Sequence, residues 1–230
     1  MPNPISLYYI TDRNAFAGDE ASRRRQLLDK IAEAARAGIN YIQLREKDLS
    51  TGDLETLARQ AVRIVREMQL ETGNSELETK LLINSRTDVA LAVEADGVHL
   101  RGDDISPQEA AAISSVARRN ARLATRNFLT AVSCHSVEDT RRAEREGASF
   151  AVLAPVFAKQ ALPVQATPVR TLGLEAVRTA CRGRLPIFAL GGITLENAPA
   201  CIEAGAAGIA AIRLFQNNNI AEVARRLRSE

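Results

Sequence analysis

Cysteine is scarce in this chain: Cys134, Cys181 and Cys201 are the only three in 230 residues. They lie far apart, form no CxxC or other metal-ligand spacing, and are odd in number, so neither a disulfide scaffold nor a zinc module is expected. Such cysteine usage predicts a reducing, cytoplasmic compartment. Long apolar runs are missing as well. No stretch approaches the ~18 uninterrupted apolar residues of a membrane span. The opening segment MPNPISLYYITDRNAF has no basic segment followed by a long apolar run, so no signal peptide is expected. An excess of one charge is also lacking. Thirty Lys and Arg stand against 28 Asp and Glu, a formal net charge of +2, too balanced to suggest nucleic acid or an anionic membrane as partner. A local basic patch for a small anion remains open. A further absence is the G-x-G-x-x-G fingerprint after the first strand-like run, which counts against an open dinucleotide-binding sheet.

What is present is alternation. Short β-rich runs occur at LYYIT (7–11), YIQL (41–44), KLLIN (80–84), GVHL (97–100), LTAVSC (129–134), FAVLAPV (150–156), PIFALGG (186–192) and GIAAIRL (208–214). Between them lie segments with helical period: Leu27, Leu28, Ile31, Ala34 and Ala35; Leu54, Leu57, Ala61 and Val65; Val137, Thr140, Ala143 and Glu146. Ile220, Val223 and Leu227 close the chain. The punctuation recurs in AARAGINYI, AVEADGVHL, REGASFAVL and IEAGAAGIAAI, where a helix is expected to end in small residues and a capping glycine before a strand begins. Ser136 and Thr194, each followed by acid in the next turn, are expected N-caps. Eight strand–helix units in a chain of this length predict one closed (β/α)8 TIM barrel domain over residues 1–230, with a doubly wound open sheet as the runner-up.

In either architecture function gathers at the C-terminal ends of the strands. The residues there are polar and rich in cations: Thr11, Asp12 and Arg13; Arg45, Glu46, Lys47 and Asp48; Asn84, Ser85 and Arg86; Arg101, Asp103 and Asp104; Ser133 and His135; Lys159; Gly191 and Gly192; Arg213. With its carboxylates, that is a mouth expected to take a polyanion, with or without a metal. Period 2 in the second strand sends Ile42 and Leu44 outward and Gln43 and Arg45 into the mouth, with Glu46 as a candidate partner for Arg45. Gly191 and Gly192 ahead of Thr194 suit backbone N–H groups approaching a phosphate, and Arg213 could add a charge-assisted contact. The alternative at 191–193 is a tight turn without ligand. His99 lies within the fourth strand, where a structural or substrate-lining role is expected. For His135 both a hydrogen bond near the helix cap and proton transfer remain open.

Taken together, LYYITDR, AGINYIQLREKD, LLINSRTDVALAVEADGVHL, VSCHSVEDTRRAEREGASFAVLAPVF and PIFALGGITLENAPACIEAGAAGIAAI resemble the thiamine phosphate synthase family, which includes the thiazole tautomerases. The resemblance implies a (β/α)8 barrel. It also implies a reaction that joins hydroxymethylpyrimidine diphosphate to thiazole phosphate with release of pyrophosphate, assisted by Mg2+. Carried over position by position, Gln43, Arg45, Lys47, Asn84 and Ser133 would hold the pyrimidine diphosphate and Asp104 would be a metal ligand. Gly191, Gly192 and the backbone around Arg213 would hold the thiazole phosphate. The partners implied are small phosphorylated substrates, with a homodimer unsurprising. Three departures stand out. Ser85 occupies the position of a second metal-binding Asp, the Pro-Thr-x-Thr-Lys loop is replaced by PVFAKQAL with Lys159 as the stand-in lysine, and Arg213 replaces a small residue. They leave two alternatives: a thiazole tautomerase with His135 moving the proton, or a catalytically silent ligand binder.

Overall fold

The computed structural model describes residues 5–72, 78–120, 127–158 and 170–229. Eight parallel strands close into a barrel in chain order: β1 (Ser6–Ile10), β2 (Tyr41–Leu44), β3 (Lys80–Asn84), β4 (Gly97–Leu100), β5 (Leu129–Cys134), β6 (Phe150–Leu153), β7 (Ile187–Ala189) and β8 (Gly208–Ala211). The helices between and after them are α1 (Glu20–Arg36), α2 (Thr51–Thr72), α3 (Thr87–Ala92), α4 (Pro107–Asn120), α5 (Val137–Arg145), α6 (Gly173–Ala180), α7 (Ala198–Glu203), α8 (Arg213–Gln216) and α9 (Ile220–Ser229). None of the described helices is long and apolar enough to cross a membrane.

The strand alternation divides two cores. Leu7, Tyr9, Ile42, Leu44, Leu81, Ile83, Val98, Leu100, Ala151, Leu153, Ile187 and Ile209 point outward and are buried with the helices. The inward set is Tyr8, Ile10, Leu82, Ala131, Phe150, Val152, Phe188 and Ala210. Aromatic residues are only 4% of the chain, yet four of them fill the barrel. Tyr8 meets Phe150 edge-on at 5.6 Å and Phe188 at 6.0 Å, while Tyr41 lies 4.8 Å from Phe150. Edge-to-face contacts at such separations are favourable for quadrupolar rings. They make a solid floor, and whatever lies above it on the same strands faces the mouth.

The helical faces read from the sequence are buried as anticipated: Leu27, Ile31, Leu57, Ala61, Val65, Val223 and Leu227 are among the core residues. Several boundaries differ. The last three strands are shorter than their apolar runs. β8 stops at Ala211 because Ile212 turns to helical φ and ψ and opens α8. Arg213 is therefore the first residue of a short helix rather than the end of a strand. Thr194 does not cap a helix directly. It closes a turn with Asn197, accepting its N–H at 3.4 Å, and α7 begins only at Ala198. Ser136 does cap α5, accepting from the Asp139 N–H.

The recurring glycines also divide. Gly38, Gly147 and Gly205 have positive φ at helix ends, the left-handed cap that glycine adopts without strain. Gly97 and Gly208 are not caps. Both are strand residues, and a Cβ on either would lie 2.2 Å from a carbonyl oxygen of the adjacent strand. At the end of α3 the left-handed position belongs to Glu94, with φ of 55°.

Candidate active site

Above the aromatic floor the inward positions turn polar. Gln43, Asn84, His99 and Ser133 occupy consecutive strands β2 to β5. The Gln43 amide nitrogen donates to Asn84 Oδ1 at 3.3 Å, and the Asn84 amide donates to Ser85 Oγ at 3.1 Å. Ser85 has φ of 60°, an uncommon left-handed conformation for a non-glycine residue. Its N–H is tied to the His99 carbonyl at 2.8 Å. His99 is 2% exposed. One ring nitrogen, Nε2, lies 2.8 Å from Ser133 Oγ and the other, Nδ1, 2.9 Å from the Tyr8 hydroxyl. Burial, assisted by the nearby Arg45 charge, pushes the imidazole down to about 3, so it is neutral at physiological pH.

The REKD stretch that follows β2 splits by parity. Glu46 is buried and turns away from Arg45, which corrects the expected Arg45–Glu46 pair. Its carboxylate accepts from the Thr11 hydroxyl, from the Arg13 backbone N–H at 3.0 Å and from the Arg13 guanidinium at 3.3 Å. Arg13, 4% exposed, also makes a forked contact to Asp48 at 2.6 and 2.9 Å and reaches Glu20 at 3.0 Å. Asp48 is held down at about 2 chiefly by that contact. The physical reason for the split is reach. Barrel closure sets β1 beside β2, so Arg13 arrives under the even residues. The Thr11 hydroxyl donates to Glu46 and accepts the Arg45 N–H at 3.0 Å, pinning the strand end.

The odd residues are left uncompensated. Among the described residues neither the Arg45 nor the Lys47 side chain pairs with a carboxylate. Lys47 is pushed below the usual lysine range, first by Arg45, then by burial and by Arg101. Three cations thus share one field at the mouth, an arrangement that an anion relieves.

Asp104, the candidate magnesium ligand, already serves Arg101. One carboxylate oxygen accepts the Arg101 N–H at 2.7 Å and the other lies 3.3 Å from its guanidinium. Among the described residues no three His, Cys, Asp or Glu side chains gather so as to hold a metal. Asp104 and its neighbour Asp103 are both engaged by Arg101, and with Ser85 in place of an acid after β3 this donor set does not fit a resident magnesium site.

His135 is exposed. Its Nδ1 lies 2.9 Å from the Ala154 carbonyl, and its backbone N–H donates to Asp139. Gly191 and Gly192 have φ of 100° and 61° and pack under the loop after β6. Their added Cβ atoms would lie 2.7 Å from Pro155 and 2.4 Å from the Ala158 carbonyl oxygen. Close packing alone therefore requires both glycines, yet among the described residues their N–H groups have no acceptor, which leaves them available to an anion. Arg213 is exposed, and among the described residues no hydrogen bond or ion pair joins its side chain to the rest of the mouth. Lys159 lies outside the described residues. Sequence reasoning missed Tyr8 as the partner of His99 and Arg13 as the hub under the rim. Strand parity was the available signal for Tyr8, while nothing local marked Arg13.

Comparison with known proteins decides the lineage. A profile of the family described as "Thiamine monophosphate synthase" matches residues 7–215. The chain belongs to the thiamine monophosphate synthase family. Among its relatives, "Putative thiamine-phosphate synthase 2" of Aquifex aeolicus is 36% identical over 209 residues, covering 91% of this chain and 96% of that protein. "Thiamine-phosphate synthase" of Syntrophomonas wolfei is 34% identical over 225 residues, covering 97% and 94%. Among solved structures, thiamine phosphate pyrophosphorylase from Pyrococcus furiosus superposes with a TM-score of 0.71 at 28% identity, over 98% of this chain and 94% of that one. The family fold is the closed eight-stranded barrel found here.

Proposed function

We propose that the chain is a thiamine phosphate synthase, joining hydroxymethylpyrimidine diphosphate to thiazole phosphate with loss of pyrophosphate. The observation that carries this reading is the pair Arg45 and Lys47, two cations held at the mouth beside Arg101 with no carboxylate partner among the described residues. In the reaction the C–O bond to the diphosphate breaks, its electron pair leaves with pyrophosphate, and the thiazole nitrogen lone pair forms the new C–N bond. Charge develops on the leaving oxygens, where a fixed guanidinium fork and a mobile ammonium are most effective. Gln43, Asn84 and Ser133 offer the pyrimidine directed hydrogen bonds above an apolar floor. Gly191 and Gly192 offer the thiazole phosphate N–H groups that have no acceptor among the described residues, and Lys159 and Arg213 are further candidates for phosphate contact. The chain otherwise contributes position.

Asp104, held by Arg101, does not by itself build a magnesium site. Any magnesium would enter with the diphosphate. Calorimetric titration of Mg2+ into the free protein is expected to give no binding, whereas Ser85→Asp, an exchange tolerated at positive φ, should create measurable binding.

A second reading keeps one specific support. The Nδ1 of His135 is engaged by the Ala154 carbonyl while its Nε2 has no partner among the described residues, as a proton-moving group in a tautomerase would require. The deciding experiment is thiamine phosphate formation from the two purified substrates with and without Mg2+. Product formation supports the synthase. Absence of product, with the same substrates turned over by a control synthase, overturns it. Carboxythiazole phosphate would then be tested as substrate, with His135→Asn alongside. Ligand binding without turnover of either substrate would indicate a silent binder.

A further inference from the structure

The hydrogen-bond chain under the mouth has a direction. Tyr8 is fully buried, and His99 Nδ1 is the only hydrogen-bond partner of its hydroxyl among the described residues. A buried phenol that only accepted a bond would leave its proton without a partner, at the full desolvation penalty. The hydroxyl must therefore donate to Nδ1. Burial favours the same state of the phenol, holding Tyr8 well above its ordinary titration range and hence protonated. An imidazole that accepts at Nδ1 and is neutral carries its proton on Nε2. That proton points at Ser133 Oγ, 2.8 Å away.

We propose that the Tyr8–His99 pair acts as a positioning device that fixes the Nε2–H tautomer, so that Ser133 accepts from His99 and presents its own proton to the ligand. Ser133 is half-buried and has no other hydrogen-bond partner among the described residues, so its hydroxyl proton is directed to the mouth. The opposite tautomer would make Ser133 donate to Nε2 and offer only lone pairs. One buried proton thus decides the polarity of a binding contact. A ligand acceptor facing Ser133, a ring nitrogen or an ester or phosphate oxygen, meets that proton, whereas the opposite tautomer would leave it none. Burial is the main cause that keeps His99 neutral, ahead of the opposing charges of Arg45 and Asp104, so ordinary pH changes do not flip the relay. This deepens the synthase reading and rests on it only for the identity of the ligand.

The test begins without ligand. The chain has two histidines, so a 15N-histidine sample, assigned with His135→Asn, reports the His99 tautomer directly by long-range proton–nitrogen correlation. The expected result is Nε2–H, with no titration from neutrality down to about pH 5. An Nδ1–H tautomer or an imidazolium overturns the proposal. Tyr8→Phe keeps the ring that packs on Phe150 and Phe188 and removes only the donor; a second tautomer should then appear, and an unchanged spectrum overturns the relay.

With hydroxymethylpyrimidine diphosphate as probe, Ser133→Ala and Tyr8→Phe should each weaken binding by roughly three- to tenfold. The double variant should be no worse than Ser133→Ala alone, because Tyr8 acts through Ser133. Additive losses overturn the proposal. His99→Gln, which can accept from Tyr8 and donate to Ser133, should retain more affinity than His99→Leu, and equal losses would count against it. Failure of the unmodified protein to bind the probe would refute the substrate assignment, while the tautomer measurement would still decide the relay.

Discussion

The residues Arg45, Glu46, Lys47 and Asp48 form two regions interleaved along one strand end. Glu46 and Asp48 are drawn to Arg13, a buried guanidinium with carboxylates on several sides. Arg45 and Lys47 face the mouth, where the charges that shift Lys47 are other cations, Arg45 and Arg101. The same four residues thus provide a neutralised foundation and an uncompensated binding surface. Pairing the acids below leaves none to neutralise the cations above. A buried ion pair is a doubtful source of net stability; its effect here is to free Arg45 and Lys47 for an anion.

The sharpest way to break this division is Arg13→Ala. It leaves the almost fully buried Glu46 without its counter-charge, and a loss of about 3–5 kcal/mol is expected in denaturant unfolding. Arg45→Ala should act on the other half. Diphosphate affinity should fall by roughly one to two orders of magnitude in calorimetry, as expected on losing charge-assisted bonds, with unfolding stability nearly unchanged. Equal effects of both variants on stability would erase the distinction. Lys47→Ala should cost less, roughly three- to fivefold in diphosphate affinity, and its effect should shrink as salt is raised, because Lys47 is an exposed point charge.

The smallest effect is a pH dependence. The Arg13 contact depresses Asp48 from 3.8 to about 2, so the carboxylate's contribution to folding is present above about pH 4 and is lost as pH falls toward 2. Asp48→Asn should flatten the loss of stability across that window. A steepness unchanged from the parent chain would show that the forked contact does not persist in solution.

Strand parity was legible from the outset. Gln43 and Arg45 inward, Ile42 and Leu44 outward, follow from the pleat of an extended backbone, and the barrel obeys it on every strand. The cationic character of the mouth was legible for the same reason, since residues after parallel strands gather at one end. What was not legible depends on neighbours remote in sequence. The partner of Glu46 is 33 residues away and that of Tyr8 is 91 away. Glycine in ADGVHL reads like a cap, but Gly97 is needed because the β5 backbone passes too close for a Cβ, and the left-handed turn falls on Glu94. Arg213 read as a strand end because its apolar run continues past the residue where the backbone turns helical.

By itself, then, the sequence determined the alternation of elements, the face on which each strand residue lies and the supply of charge at the mouth, because these follow from local backbone periodicity. Only the tertiary structure decided which charges neutralise one another, which remain free, and which nitrogen of His99 carries the proton. Those depend on the closure of the barrel, which sets distant side chains within hydrogen-bond reach and removes the water that would otherwise satisfy them.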